Sequence, residues 1–546
     1  MSDRAHIARG VARALQPASD ALAFMAPALL LAAGCAAAAD LGLYVTDPMD
    51  EQTVEIRPLG GQVSTTAHLF ATPGEYEPAS FAVRPVERVE AMFMTAGPLT
   101  GPAGTIAADR VRVQSVEGFH GGDRNILMDL GRPWDMPAFR RELFWVTVHV
   151  PGDARPGTYT GAVTITSNGQ AVGQLDLALD VLPFTLDPAP YALGFNYSNP
   201  GDEATLEAHL ADMREHGMTT VGPLYEFHLP VYDEDTSEIA AFIAAYQAAG
   251  YTQPLYFASP MSLVTGTLLG YGPVDSRRFQ RKYLQVMHRL HAETSQHQVP
   301  VIYSIGDEFT NKALPGVEYG EKLARFVYEE LPEICVTSDM NGYLEVMRMA
   351  PYLNVAAVNN GWDGIDGHNH GRRLINREAL LEIGRTGAIP WFVNAGVGRF
   401  PYGFFFWKMA RYGVRGKIEW YYNLGDNEEG SVVRTEGARV WPTLAYERSR
   451  EGVDDLRYVC KLEALVAQAK AAGLPDATLQ PARDLLQRLG DSITDDWTAY
   501  SEGGEPFPPE GLAPASTDMR GPMGPYEALR WAIALEIMRV QGGLPR

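Results

Sequence analysis

Val299-Pro-Val-Ile-Tyr-Ser-Ile-Gly-Asp-Glu-Phe309 is the stretch on which the fold turns. It is apolar and β-branched up to Ile305, as in a strand buried on both faces of a parallel sheet. Where the apolar run ends, two adjacent carboxylates begin, Asp307 and Glu308. In parallel barrels the chemistry collects at the C-terminal ends of strands. Ser304, Gly306 and Glu308 share one parity, so two small residues leave space beneath a glutamate. Asp307 joins it only if the strand bends there, which Gly306 permits. The plainer role for Asp307 is to cap the helix that follows.

Outward from this stretch the chain alternates strand and helix. The strands expected are Leu193–Tyr197, Thr219–Tyr225, Gln253–Phe257, Val299–Ile305, Ile334–Ser338, Val355–Asn359, Ile389–Asn394 and Lys417–Tyr422. Between them lie amphipathic helices. One is Arg278–Glu293, with Phe279, Tyr283, Val286, Met287 and Leu290 at helical spacing. Another is Ala204–Glu215, closed by Gly217. Eight βα units point to a (β/α)8 barrel. An open doubly wound sheet is the competitor, but no Gly-rich phosphate loop follows the first strand.

The whole chain then divides into four parts: an export segment at 1–40, a β-sandwich at 41–188, the barrel at 189–440 and a helical region at 441–546. In the second part Thr53–Leu59, Ser80–Val83, Arg110–Gln114, Phe144–Val150 and Tyr159–Thr166 read as half-buried strands, with a further one ending near Val181. Phe144–Val150 is expected to pair with Tyr159–Thr166 across the turn Pro151–Gly157. In the last part Glu451–Gly473, Gln480–Leu489 and Tyr526–Val540 are helical, and Gly503–Pro525 reads as an extended loop.

At 546 residues the chain exceeds a single core, and a net charge of -22 excludes nucleic acid and anionic membranes as expected partners. Its three cysteines have neither metal-ligand spacing nor a disulfide pattern. Arg4, Arg9 and Arg13 precede the apolar run Ala21–Ala33, which is too short for an ordinary transmembrane helix and reads as an export signal. The expected location is therefore periplasmic, cell-surface or secreted. Leu31-Ala-Ala-Gly-Cys35 also resembles a lipoprotein attachment box, with Cys35 as a possible lipid anchor. No later stretch is apolar enough to span a bilayer.

The barrel's strand ends are polar and aromatic. Asn196, Tyr197 and Asn199 close the first, Tyr225, Glu226 and His228 the second, Asp307 and Glu308 the fourth, and Asp339 and Asn341 the fifth. Asn359, Asn360 and Trp362 close the sixth, Asn394 the seventh, and Trp420, Tyr422 and Asn423 the eighth. Amides and carboxylates bind sugar hydroxyls, and aromatic faces stack on a pyranose ring, so the expected ligand is a glycan. Asp363, Asp366, His368 and His370 are the metal alternative, set in a Gly-rich loop at 361–371. A serine hydrolase lacks its Gly-x-Ser-x-Gly elbow.

Two carboxylates on a glycosidic bond are the natural chemistry. Strand seven supplies Asn394 and no carboxylate, and Glu419 on strand eight has the parity opposite to Trp420 and Tyr422. The adjacent Asp307 and Glu308 cannot straddle a sugar as separate acid and nucleophile. They suit substrate assistance, in which the 2-acetamido oxygen attacks, Asp307 orients it and Glu308 protonates the leaving group. That chemistry requires Glu308 protonated while Asp307 is ionised.

Gly306-Asp-Glu308, Trp420-Tyr-Tyr-Asn423, Trp441-Pro442 leading into Glu447-Arg-Ser-Arg-Glu-Gly-Val-Asp-Asp-Leu-Arg-Tyr458, and Pro151-Gly-Asp-Ala-Arg-Pro-Gly-Thr-Tyr-Thr-Gly161 together resemble glycoside hydrolase family 123 and its uncharacterised relatives. The resemblance implies an exo-acting β-N-acetylgalactosaminidase that retains configuration and needs no cofactor. It implies Asp307 as the acetamido-orienting residue, Glu308 as general acid, Tyr422 on the acetamido oxygen and Trp420 as a stacking wall. Phe309 stands where members of the group often carry Pro, and the 361–371 loop has no counterpart. The alternatives are a glycosidase for a sugar without an acetamido group, using a carboxylate such as Asp339, and a non-catalytic carbohydrate-binding protein.

Overall fold

The computed structural model describes residues 41–49, 56–119, 124–198, 201–224, 227–360, 372–423, 431–501, 507–509, 511–513 and 521–544. The export segment with Cys35, Asn199, Tyr225, Glu226, Trp362 and the 361–371 loop with its two histidines lie outside these residues, as does most of Gly503–Pro525. The chain divides into two compact units. One comprises Met1–Val116, Met128–Thr185 and Thr517–Gly524; the other comprises Glu117–Leu127, Leu186–Ser516 and Pro525–Arg546.

The N-terminal strands form two sheets. One runs Tyr44–Thr46, Tyr76–Val83, Glu142–His149, Val111–Phe119, Arg124–Asp129; the other has Thr66–Ala71, Gln170–Val181, Gly157–Ser167, Val89–Ala96 and Trp134–Met136 along its main path. Phe81, Phe144, Val146, Val163, Ile165, Leu175 and Leu177 share a single core. The alternating residues of each strand supply that core, as in stacked antiparallel sheets.

Two expectations fail here. Glu142–His149 pairs with Tyr76–Val83 and Val111–Phe119, while Gly157–Ser167 pairs with Gln170–Val181 and Val89–Ala96, so the expected hairpin partners lie in opposite sheets. Pro151–Pro156 is too long for a two-residue primed turn, the geometry that sets a tight hairpin register. The connection crosses between layers instead. Of Thr53–Leu59, the described part is a coil that enters a single 3-10 turn at Leu59–Gly61. Pro58, which has no N–H to give a ladder, stands at that turn.

In the second unit eight parallel strands form a nearly closed barrel. They are β1 (Ala192–Tyr197), β2 (Gly222–Pro223), β3 (Leu255–Phe257), β4 (Val301–Asp307), β5 (Cys335–Met340), β6 (Val355–Val358), β7 (Ile389–Val393) and β8 (Gly416–Glu419), in the order β2-β1-β8-β7-β6-β5-β4-β3. Between β2 and β3, Tyr256 N donates to Val221 O at 3.3 Å and Ala258 N to Pro223 O at 3.2 Å. Ala192, Tyr256, Ile302, Val355, Ala357, Trp391, Val393 and Ile418 fill the interior. These residues, with Cys335 of β5 packed against them, mark the inward parity of every strand but β2.

Helices α1 (Glu203–Glu215), α2 (Ser237–Ala248), α3 (Arg277–Thr294), α4 (Ala313–Glu330), α5 (Tyr343–Met349) and α6 (Arg377–Thr386) connect the strands. The expected apolar face of α3 is buried at all five positions named for it. The short α7 (Arg399–Tyr402) and α8 (Phe404–Ala410) lead into β8, and α9 (Leu444–Ala471), α10 (Asp476–Asp491) and α11 (Pro525–Gly543) complete the unit. Thr443 caps α9, its side chain accepting from Tyr446 N.

Candidate active site

Strand β4 reaches the barrel mouth through a register shift. Ser304 pairs with Thr337 and Asp307 with Asp339, so β4 spends three residues where β5 spends two. One extra residue in a strand reverses the parity beyond it. Ser304 and Asp307 thus both follow the inward phase of β5, which explains how Asp307 joins the interior face. The bend anticipated from Gly306 is this bulge. Gly306 has a second reason to lack a side chain: a Cβ there would come within 2.1 Å of the Phe309 ring. Gly320 on α4 yields to the same ring, with 2.6 Å to Phe309 Cδ2.

Glu308 follows in the left-handed region, φ 41° and ψ 55°. That conformation is uncommon for a residue with a side chain and persists where surroundings enforce it. Here Glu308 N donates to Asp339 O at 2.7 Å, and Asn311 N closes the turn on Glu308 O at 2.9 Å. The carboxyl group is held on both sides. Asn359 Nδ2 donates to Oε1 at 2.8 Å and Asn311 Nδ2 to Oε2 at 2.8 Å, while Asn341 Nδ2 donates to Asn311 Oδ1 at 2.8 Å. Three amides from the ends of β4, β5 and β6 therefore aim one carboxyl.

Two further carboxyl groups lie behind it. Asp339 is buried and accepts a hydrogen bond from the Tyr256 hydroxyl. Burial, then the charge of Asp307, pushes Asp339 well above the usual carboxylate range, with Glu308 and Glu345 adding to the effect. Glu345, in the first turn of α5, is 0% exposed. It accepts from Phe309 N at 2.7 Å, Thr310 Oγ1 at 2.8 Å and Asn341 N at 3.2 Å. Burial pushes it up to about 7 against these hydrogen bonds.

The other expected site residues are distributed unevenly. Asn196 at the end of β1 is buried, and its Oδ1 has no hydrogen-bond partner among the described residues. It lies over Gly222 of β2, where a Cβ would come within 2.4 Å. Asn394, with φ 53°, accepts from Trp420 N at 2.9 Å through its side chain, tying β7 to the end of β8. Trp420 itself is 39% exposed. Asn360 is half-buried, its Oδ1 accepting from Ile375 N at 2.9 Å and its Nδ2 donating to Thr498 Oγ1 at 3.1 Å.

Tyr422 is not brought to the carboxyl pair. It is fully buried and its hydroxyl donates to Asp212 Oδ2 on α1 at 2.8 Å. The alternation of β8 ends at Glu419, so parity no longer aims Tyr422 with Trp420. Tyr197 is also fully buried, its hydroxyl 3.1 Å from His209 Nδ1. Glu419 takes the outward parity expected of it. It is engaged by Lys417 and by Ala395 N at 2.6 Å.

Sequence reasoning missed Tyr256, Asn311 and Glu345. Tyr256 sat in an apolar run, and Glu345 in a helical first turn, where an acid suits the dipole without any further role. Among the described residues no group of three or more His, Cys, Asp and Glu is placed to hold a metal ion, and no helix is long and apolar enough to cross a membrane.

No family model matches the chain, and no curated protein matches it in sequence. The fold is similar to that of a family 123 glycoside hydrolase from Clostridium perfringens, described for glycolipid glycan hydrolysis. The TM-score is 0.57 at 12% identity, covering 92% of this chain and 97% of that one. A family 39 glycoside hydrolase from Bacteroides cellulosilyticus WH2 matches at TM-score 0.36 and 10% identity, over 72% of this chain and 82% of that one. At 12% identity the likeness to the family 123 enzyme is one of fold alone.

Proposed function

We propose that this chain is an exo-acting glycoside hydrolase that removes a terminal β-linked N-acetylhexosamine, with N-acetylgalactosamine the first to test. The observation that carries the reading is the turn at Glu308. It presents a carboxyl group at the barrel mouth, held by Asn359 and Asn311, directly beside Asp307. No carboxylate stands at the end of β7 among the described residues, and Glu419 of β8 is engaged elsewhere. A retaining pair of acid and nucleophile sits about 5–5.5 Å apart on opposite sides of the bond. Chain neighbours do not fit that arrangement, and the substrate's own acetamido oxygen takes the nucleophile's place.

In the first step that oxygen bonds to C1 while the bond from C1 to the aglycone oxygen breaks. The departing electron pair stays on the aglycone oxygen, which takes the proton of Glu308. Asp307 faces the acetamido N–H and stabilises the positive charge of the oxazolinium ring. Water then attacks C1, its proton passes to the Glu308 carboxylate, and the ring opens. Two inversions leave the configuration retained. Asp339 is buried and engaged by the Tyr256 hydroxyl, which leaves it ill suited to attack C1. That favours substrate assistance over a plain glycosidase using Asp339. The export signal at 1–40 supports action outside the cytoplasm on glycans or glycoconjugates.

The test is hydrolysis of matched chromogenic β-glycosides, with and without the 2-acetamido group, by wild type and Glu308→Gln. Cleavage confined to acetamido sugars and lost in the variant is expected. Cleavage of plain glycosides would assign the chain a separate nucleophile, and binding without cleavage of any would make it a carbohydrate-binding protein.

A further inference from the structure

We infer that Glu345 is a positioning residue for the general acid: its buried carboxyl group holds the left-handed turn that presents Glu308. The inference rests on the reading of Glu308 as the acid. Glu345 reaches the turn from the third residue of α5, four positions after Asn341. Its two oxygens take the N–H of Phe309, the hydroxyl of Thr310 and the N–H of Asn341. The first two follow Glu308 directly in the chain. The third belongs to the residue whose amide steadies Asn311, and Asn311 in turn holds Glu308 Oε2.

One carboxyl group therefore fixes both the backbone after Glu308 and one of the two amides on its side chain. A glutamate with no exposed surface costs stability unless it is fully hydrogen-bonded, and three donors converge on this one. Neutral donors rather than a cation satisfy it: no lysine or arginine is paired with Glu345 among the described residues. The ring of Phe309 completes the clamp, seated where Gly306 and Gly320 leave room for it. The clamp adds to the two backbone hydrogen bonds, to Asp339 O and from Asn311 N, that enforce the left-handed backbone at Glu308.

A residue that acts through the acid affects only those reactions that need the acid. The experiment compares two aryl glycosides of the sugar the wild type cleaves, one with a phenyl leaving group and one with 3,4-dinitrophenyl. Phenoxide needs a proton to depart, and dinitrophenoxide departs as a stable anion. For Glu345→Gln, kcat/KM, which reports the step up to aglycone departure and not the later one in which Glu308 takes a proton from water, is expected to fall at least about tenfold on the phenyl substrate, a share of the ~10²–10⁴ a general acid contributes, and less than about threefold on the dinitrophenyl substrate. Thr310→Val, which removes one donor, should show the same selectivity more weakly, and Thr310→Ser should restore the phenyl rate. This pair decides the matter if Glu345→Gln does not fold.

An equal loss on both substrates, or no loss on either, would overturn the inference. Glu308→Gln on the same two substrates separates the two layers. If it too lowers both equally, the acid assignment falls. If it is selective while Glu345→Gln and Thr310→Val are not, the positioning role alone is wrong.

Discussion

Two regions of the barrel unit bury several carboxyl groups each, and they satisfy them in opposite ways. On α9, Glu447, Glu451, Asp454 and Asp455 are buried with arginines among them. Asp455 accepts from Arg399 Nε at 2.6 Å and from Arg530 Nε at 2.7 Å, Glu451 from Arg530 Nη1 at 2.8 Å, and Glu447 pairs with Arg450. At the mouth, Glu308, Asp339 and Glu345 have no lysine or arginine partner among the described residues; amides, hydroxyls and backbone N–H groups hold them. Charge matched by charge makes a rigid joint between α7, α9 and α11. At the mouth neutral donors hold the carboxyl groups in place without a counter-charge.

The largest expected effect tests the mouth. Glu308→Gln should lower turnover by ~10²–10⁴ on a substrate with a poor leaving group, with an unchanged melting temperature. Asp307→Asn should keep binding and lose most turnover, read as a fall in kcat with KM held. The α9 network should respond in the reverse sense. Arg530→Met leaves Glu451 and Asp455 short of a partner, and breaking a buried pair costs about 3–5 kcal/mol, measured by urea unfolding. The folded fraction should retain its kcat. A loss of kcat without a loss of stability would erase the distinction between the regions.

Protonation sharpens the comparison. Glu345 and Glu451 are each raised to about 7 by burial, from an ordinary 4.5. Between those limits the native state binds protons that the unfolded chain has released. Stability contributed by these groups is therefore present at low pH and falls as pH rises through the window, on the order of a few kcal/mol in all. Asp339 adds to the same slope, since its carboxyl is also raised. Asp339→Asn should flatten the fall in a series of melting temperatures from pH 4.5 to 8. A rising slope would contradict the burial argument. The smallest effect concerns Tyr422→Phe, which loses one hydrogen bond to Asp212: about 1 kcal/mol of stability and a kcat within about twofold of wild type. A large loss of kcat would return Tyr422 to the sugar site.

The barrel was legible because its strands are short apolar runs separated by helices of clear period, and all eight overlap the expected segments. The carboxyl pair was legible because polarity begins abruptly after Ile305. What escaped notice depends on distance in sequence. Glu345 lies 37 positions after Glu308, and nothing local distinguishes it from any helix-starting acid. Tyr422 took its expected role from the family resemblance and lay in the expected strand Lys417–Tyr422, whereas the strand ends at Glu419. Several sandwich strands were recognised individually, among them Phe144–Val150 and Tyr159–Thr166, but the pairing of these two was not, because Pro151–Gly157 carries no turn chemistry that sets a register. Within the motif Glu447–Tyr458, Glu447, Arg450, Glu451 and Asp455 are members of the arginine network.

The most direct test of the central claim is binding of a galacto-configured thiazoline, a stable mimic of the oxazolinium ring, to wild type and Asp307→Asn by calorimetry. Substrate assistance predicts tight binding by the wild type, well below the substrate's KM, and a large loss when Asp307 can no longer face the ring nitrogen as a carboxylate. No preference for the thiazoline over the free sugar, or equal affinity in both proteins, would contradict it.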